Sequence, residues 1–280
     1  MCWKEVLGCL SLSVLYVGSL YIWNATQGRD HPSTIKKRCI SVFFMTIVSP
    51  FFVIWWSSNE YEGTGKLWSQ MGLRLEGIIP ALICPLILTF ILFLGPIIQS
   101  HHTVPITSTL RMYLDPLYWY NTAQNPIWWR NQVVAPFSEE FTFRACMLPI
   151  LLQCFSPAKA IFVAPLFFGV AHLHHALDRH RLGIDLPAVL LISCFQFLYT
   201  SVFGFYSSFL FIRTGHFLPL FAVHAFCNHM GLPELKDMWC KPPPLRNRLL
   251  VCHILGLVFW YLLLYPLTEP LYYGNTLYKL

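Results

Sequence analysis

Apolar positions in this chain run on without interruption, and the polar ones between them are sparse. Runs of the length that crosses a hydrocarbon core, roughly 17–25 residues, fall at 5–23, 40–57, 77–99, 133–154, 158–177, 187–212, 216–232 and 249–267. They predict about eight membrane-crossing helices, the sixth broken or tilted and the seventh short. The runs are continuous rather than alternating, which excludes a transmembrane barrel. The first has no small-residue cleavage site after it and reads as a retained span, not a removed leader. The expected fold is all-α: a polytopic transmembrane helical bundle forming a single domain over 1–280.

Composition agrees, with 11% charged, 56% hydrophobic and 16% aromatic residues, far from a soluble domain of this length. The net charge of +6 is too diluted by apolar segments to suggest nucleic-acid binding. It carries topology instead. The loops after the odd-numbered spans hold Arg29, Lys36, Lys37, Arg38, Arg111, Arg130, Arg179, Arg181, Lys236, Lys241, Arg246 and Arg248. The opposite side holds Lys4, Lys66, Arg74, Lys159, Arg213 and Lys279. Twelve against six places the odd loops in the cytosol and both termini on the far side. Asn24-Ala25-Thr26, a glycosylation acceptor pattern, then falls on the cytosolic side and is expected to be unmodified. The ten cysteines show no Cys-x-x-Cys spacing. Those such as Cys84, Cys146, Cys194 and Cys252 read as small apolar helix residues. The mixed stretch from 100 to 130, with Trp119, Trp128 and Trp129, reads as an aromatic boundary belt, with an interfacial helix or lid as the alternative.

Three polar insertions interrupt the later spans. The first is Ser138-Glu139-Glu140-Phe141-Thr142-Phe143-Arg144. Ionisable residues at membrane depth are costly unless paired or facing water. On a helix Glu140 and Arg144 share a face four residues apart, whereas Glu139 is rotated from Glu140 by about 100°. One acid thus has a built-in partner and the other does not, which makes Glu139 the candidate for chemistry. Pro136 suits a first helical turn, and Ser138 reads as that helix's cap. The second insertion is His172 after Phe168, followed by His174 and His175. The third is His224 with Asn228 one turn on, and His229 beside it. Singly, these histidines read as interhelical hydrogen-bonding groups or boundary residues. Together with two acids and an arginine they suggest an intramembrane polar cavity.

The chemistry such groups permit is hydrolysis. A carboxylate and an imidazole can converge on one water, and a His–Asn pair can donate to a developing oxyanion. No serine nucleophile elbow is present. His-Glu-x-x-His is absent, so no metal or other cofactor is expected, although a zinc-dependent membrane protease stays open. Two further alternatives are a non-catalytic membrane scaffold or chaperone and a proton-coupled transporter. The transporter would call for matched inverted repeats, and none is visible.

Glu139-Glu140-x-x-x-Arg144, Phe168-x-x-x-His172 and His224-x-x-x-Asn228 resemble, in order and in separate spans, the three motifs of the type II CAAX prenyl endopeptidases. This is the Ras-converting enzyme branch of the CAAX protease and bacteriocin-processing family. Arg29-Asp30-His31-Pro32, Arg130-Asn131-Gln132 and Phe211-Ile212-Arg213-Thr214-Gly215-His216 are similar to the eukaryotic branch, and the motif-bearing core covers about 130–232. The resemblance implies a multi-pass protease of the endoplasmic reticulum membrane with its active site open to the cytosol. It would remove the last three residues of farnesylated or geranylgeranylated CAAX proteins such as Ras-like small GTPases. It also implies that Glu139 and His172 activate water, that His224 and Asn228 form the oxyanion site, and that Glu140 and Arg144 support them. Beyond membrane lipid and the prenylated protein, no partner is implied.

Overall fold

The computed structural model describes residues 2–23, 27–57 and 64–278. The Asn24-Ala25-Thr26 pattern and Lys279 lie outside them. The described residues form helices joined by short turns, with no strand among them.

Two long helices, α1 (Trp3–Ser19) and α2 (Pro32–Trp56), open the chain. α2 begins cleanly because His31 accepts from the Ser33 N–H and Pro32 occupies the first turn, where a missing N–H costs nothing. After the short α3 (Thr64–Gln70) come α4 (Ile78–Leu92) and α5 (Leu94–Thr103). These two fill the run predicted as one straight span, but they meet at 65°. The break has a covalent cause: Pro96 has no N–H for the Leu92 carbonyl, and its ring crowds that position. The stretch 100–130 is helical, comprising α6 (Ile106–Leu114) and α7 (Pro116–Ala123), neither of which buries a residue.

A rod then runs unbroken from 126 to 151. It comprises α8 (Pro126–Trp129), a π-helical turn (Arg130–Val134), α9 (Ala135–Glu140), a second π-helical turn (Phe141–Cys146) and α10 (Met147–Leu151). Beyond it lie α11 (Pro157–Ala171), α12 (His174–Arg181), α13 (Leu186–Thr214), α14 (Leu218–Met230), α15 (Leu235–Cys240) and α16 (Pro243–Leu267). α13 is one continuous helix of 29 residues, so of the two expectations, broken or tilted, the break is absent. Its Pro187 falls in the first turn and its interior contains no other proline.

By length and composition α2, α13, α16 and the pair α11–α12 can each cross a membrane, and the bent α4–α5 pair is either a fifth, broken span or a re-entrant segment. α1, the rod and α14 overlap the runs predicted as the first, fourth and seventh spans, and side-chain contacts gather at the two ends of the bundle. At one end Cys2 is disulfide-bonded to Cys154, Gln153 donates to Ser57, Arg74 reaches the Tyr273 carbonyl and Arg213 pairs with Glu269. At the other, Arg130 pairs with Asp30, Arg38 with Asp178, Gln99 with Asp237, and Asn228 donates to the Asn131 carbonyl. The disulfide was not legible, because nothing in the sequence pairs two cysteines 152 positions apart.

The rod is the centre of the bundle. α1, α2, α11, α13 and α14 pack around it, and α14 in turn carries an outer layer of α4, α5 and α16. Every residue from Glu140 to Leu151 is buried. The outward faces of α2 (Phe43, Phe44, Phe51, Trp55) and α16 (Val251, Leu255, Val258, Leu262) are exposed and apolar, as a lipid-facing surface requires.

Candidate active site

The rod places the acids, and it starts earlier than its apolar run suggested. Asn125 is the cap, accepting from the Ile127 and Trp128 N–H groups at 2.9 and 3.3 Å. The polar Arg130-Asn131-Gln132 lies within the helix, so Pro136 sits in mid-rod. The π-helical turn Arg130–Val134 immediately precedes it and accommodates the proline ring and its missing N–H. Ser138 is therefore not a cap. Its Oγ bonds the Val134 carbonyl at 2.8 Å and the Tyr16 hydroxyl at 2.9 Å, which ties α1 to the rod beside the acids.

Glu140 is wholly enclosed and uses both oxygens. Oε1 accepts from Arg144 Nη1 at 3.0 Å and from His224 Nδ1 at 2.8 Å, and Oε2 accepts from Ser207 Oγ at 2.6 Å. Arg144 is among the largest fully buried side chains. Its guanidinium lies 4.2 Å from the Phe168 ring centroid and 5.7 Å from that of Phe203, so aromatic faces supply part of what water cannot. Such a buried ion pair is tolerable because further hydrogen bonds satisfy the carboxylate.

Glu139 keeps 20% of its side chain accessible and faces a cavity of about 1330 Å³. His172, His224 and Asn228 line the same cavity, and Glu140 and Arg144 stand behind its wall. The His224 ring spans the two acids: Nδ1 is bonded to Glu140, and Nε2 lies 3.8 Å from Glu139 Oε2. His172 closes α11, with Nδ1 2.7 Å from the Phe168 carbonyl. A carbonyl can only accept, so that nitrogen carries the proton and Nε2 keeps its lone pair. Asn228 gives one amide proton to the Asn131 carbonyl at 2.9 Å and retains the other.

The structure thus brings four of the six sequence-predicted residues onto one cavity and sets the other two beneath it. His174 and His175 also line the cavity, so they are more than boundary residues. His229 sits apart, bonded to Tyr113 at 3.0 Å. Sequence reasoning missed Ser207 and Tyr16, since a hydroxyl in an apolar helix carries no signal of its partner. Among the described residues, one group of ligand-type side chains lies close enough to hold a metal ion: Cys2, Glu5 and Cys154. It belongs to the opposite end of the bundle, and two of its sulfurs are joined to each other.

A family model described as type II CAAX prenyl endopeptidase Rce1-like matches residues 121–230, which span the acids, His172, His224 and Asn228. CAAX prenyl protease 2 of Homo sapiens is 45% identical over 279 residues, covering 98% of this chain and 84% of that protein. This chain belongs to the CAAX prenyl protease 2 family. The Rattus norvegicus member is 41% identical over 278 residues, covering 98% of this chain and 83% of its own. The Arabidopsis thaliana member is 32% identical over 290 residues, covering 96% and 90%. No solved structure gives a significant match. Family membership and bundle architecture agree on a multi-pass all-helical membrane protein.

Proposed function

We propose that this protein hydrolyses prenylated CAAX proteins, releasing the C-terminal tripeptide by attack of a water activated by Glu139 and His172. The observation that carries this reading is the unequal use of the two acids. Glu140 has both oxygens engaged, by three donors on Arg144, His224 and Ser207, while Glu139 opens onto the cavity that also holds the lone pair of His172. The water gives its proton to Glu139 as its oxygen bonds to the carbonyl carbon of the prenylated cysteine. His224 and Asn228 donate to the resulting oxyanion. For His224 this requires both ring protons, since Nδ1–H is already given to Glu140. Collapse then breaks the C–N bond, and Glu139 returns its proton to the departing amine.

The substrates are farnesylated or geranylgeranylated CAAX proteins such as Ras-like small GTPases. Each CH₂ of the prenyl chain kept out of water contributes about 0.8 kcal/mol. The cavity suits such a chain: Phe162, Phe205, Phe209, Leu257, Trp260 and Leu264 form its apolar part. The enzyme sits in the endoplasmic reticulum membrane with the cavity open to the cytosol. Two features support that placement, the twelve-to-six excess of basic residues on the cavity-mouth side and the disulfide at the other end, which belongs in an oxidising compartment.

The test is cleavage by purified protein in detergent of a farnesylated CAAX peptide and of its unprenylated twin. We expect the first to be cut between cysteine and the next residue, the second far more slowly, and neither rate to fall with a strong chelator. Equal cleavage of both peptides would remove the prenyl requirement, and chelator loss restored by zinc would replace the water-activation scheme.

A further inference from the structure

Four arginines crowd one end of the cavity, and the hydrolytic site uses none of them. Arg29 comes from the loop after α1, Arg38 from α2, Arg130 from the first π-helical turn of the rod and Arg179 from α12. All four line the cavity, and Glu139 is the sole carboxylate in that lining among the described residues. Two acids stand behind them. Asp30 takes Arg130 at 2.7 Å and Arg29 at 3.7 Å, and Asp178 takes Arg38 at 3.7 Å. Arg179 has only neutral acceptors, Ser193 Oγ at 3.3 Å and Gln196 Oε1 at 2.5 Å. Arg38 Nε is buried with no acceptor at all. The Arg29 guanidinium is held below its ordinary value by burial and then by Arg130, with Asp30 opposing and Arg38 adding to the crowding. Guanidinium groups gathered in a partly enclosed space repel one another unless an anion joins them.

The spacing says which anion fits. Arg130 precedes Glu139 by nine residues on one rod, roughly 13 Å at 1.5 Å per helical residue. An extended substrate places its terminal carboxylate three residues past the scissile carbonyl, roughly 10 Å away at 3.3–3.6 Å per residue. The two lengths are of one order, so a chain end reaching back from Glu139 arrives at the end of the cavity that Arg130 shares with Arg29, Arg38 and Arg179.

We propose that this cluster, with Arg38 and Arg179 as the members that have no carboxylate within direct hydrogen-bond distance, is a subsite for the free α-carboxylate at the substrate's C-terminus. The enzyme then positions its cut by measuring three residues back from the chain end. This rests on the tripeptide-releasing activity proposed above and adds how the length of the released piece is set.

The experiment compares two farnesylated CAAX peptides of one sequence, one ending in a free acid and one in an amide. A charge-assisted hydrogen bond is worth enough to change kcat/KM by about 10-fold or more. We expect the wild type to prefer the acid by at least that factor, mainly through KM. In Arg38→Gln and Arg179→Gln, checked by thermal melting, the preference should shrink towards one. The released tripeptide should inhibit the wild type as its acid and not as its amide, a readout that needs no variant. Acid and amide cleaved equally by the wild type would overturn the subsite and leave the arginines to another anion, such as a lipid phosphate. Preference retained in both variants would overturn their assignment. If neither peptide were cleaved, the protease reading would fall and the subsite with it.

Discussion

Adjacent glutamates in one rod have opposite environments, and substitution should separate them. Glu139→Gln keeps size and hydrogen bonding and removes the base. Turnover should fall at least ~10²-fold, the lower end for general-base catalysis, with little change in melting temperature. Glu140→Gln weakens three hydrogen bonds and strands Arg144 where both charges are fully enclosed. Removing one partner of a buried pair costs about 3–5 kcal/mol, so a lowered melting temperature should accompany lost activity. Paired melting curves and rates decide it, and a stable, inactive Glu140→Gln beside an active Glu139→Gln would reverse the roles. The helix spacing of Glu140 and Arg144 was readable, because four residues set two side chains on one face whatever the fold. The third and fourth members of that network were not. Ser207 lies 67 positions from Glu140 and His224 84, and only the bundle brings them together.

At the element scale the packing of α13 on α11 reaches the site. A Cβ on Gly204 would stand 2.8 Å from Pro165 Cβ and 2.9 Å from Arg144 Nη2. Gly204→Ala should therefore push α13 from α11 and press on the Arg144 guanidinium, at a cost of about 1–3 kcal/mol. Gly18→Ala is the natural control, since nothing lies within 4 Å of its added methyl. We expect Gly204→Ala to lose both melting temperature and activity and Gly18→Ala to keep both; a Gly204→Ala as stable as wild type would show that the two helices have slack. Apolar pattern located the long apolar helices such as α2, α13 and α16, because lipid demands an apolar surface of any span. It could not show the two π-helical turns, which follow from Pro136 and from packing, nor the true start of the rod at Pro126. Arg130-Asn131-Gln132 ended the apolar run at the sequence level, yet in the fold Arg130 and Asn131 line the cavity and meet Asp30 and Asn228.

For the whole molecule, what matters is which end of the bundle meets the cytosol. Positive residues gather at the end bearing Asp30, Arg130 and Asp178, and the Cys2–Cys154 disulfide closes the opposite end. The two signals are independent, one set by insertion and the other by redox compartment. The depressed carboxyl of Asp30, owed first to its hydrogen bond from Arg130, adds a pH signature at the cavity end. Its contribution is full above the ordinary carboxylate range and is lost as pH falls through its lowered value. Cys240 is exposed on the cavity-mouth side. In sealed, cytosol-side-out microsomes an impermeant maleimide should label Cys240 directly, and Cys2 and Cys154 only after permeabilisation and reduction. Linking residues this far apart contributes about 2–4 kcal/mol, so Cys2→Ser should melt earlier with Glu139 chemistry intact below that temperature. Labelling of Cys240 only after permeabilisation would invert the bundle. The arginine-lined mouth would then face the lumen, out of reach of proteins prenylated in the cytosol.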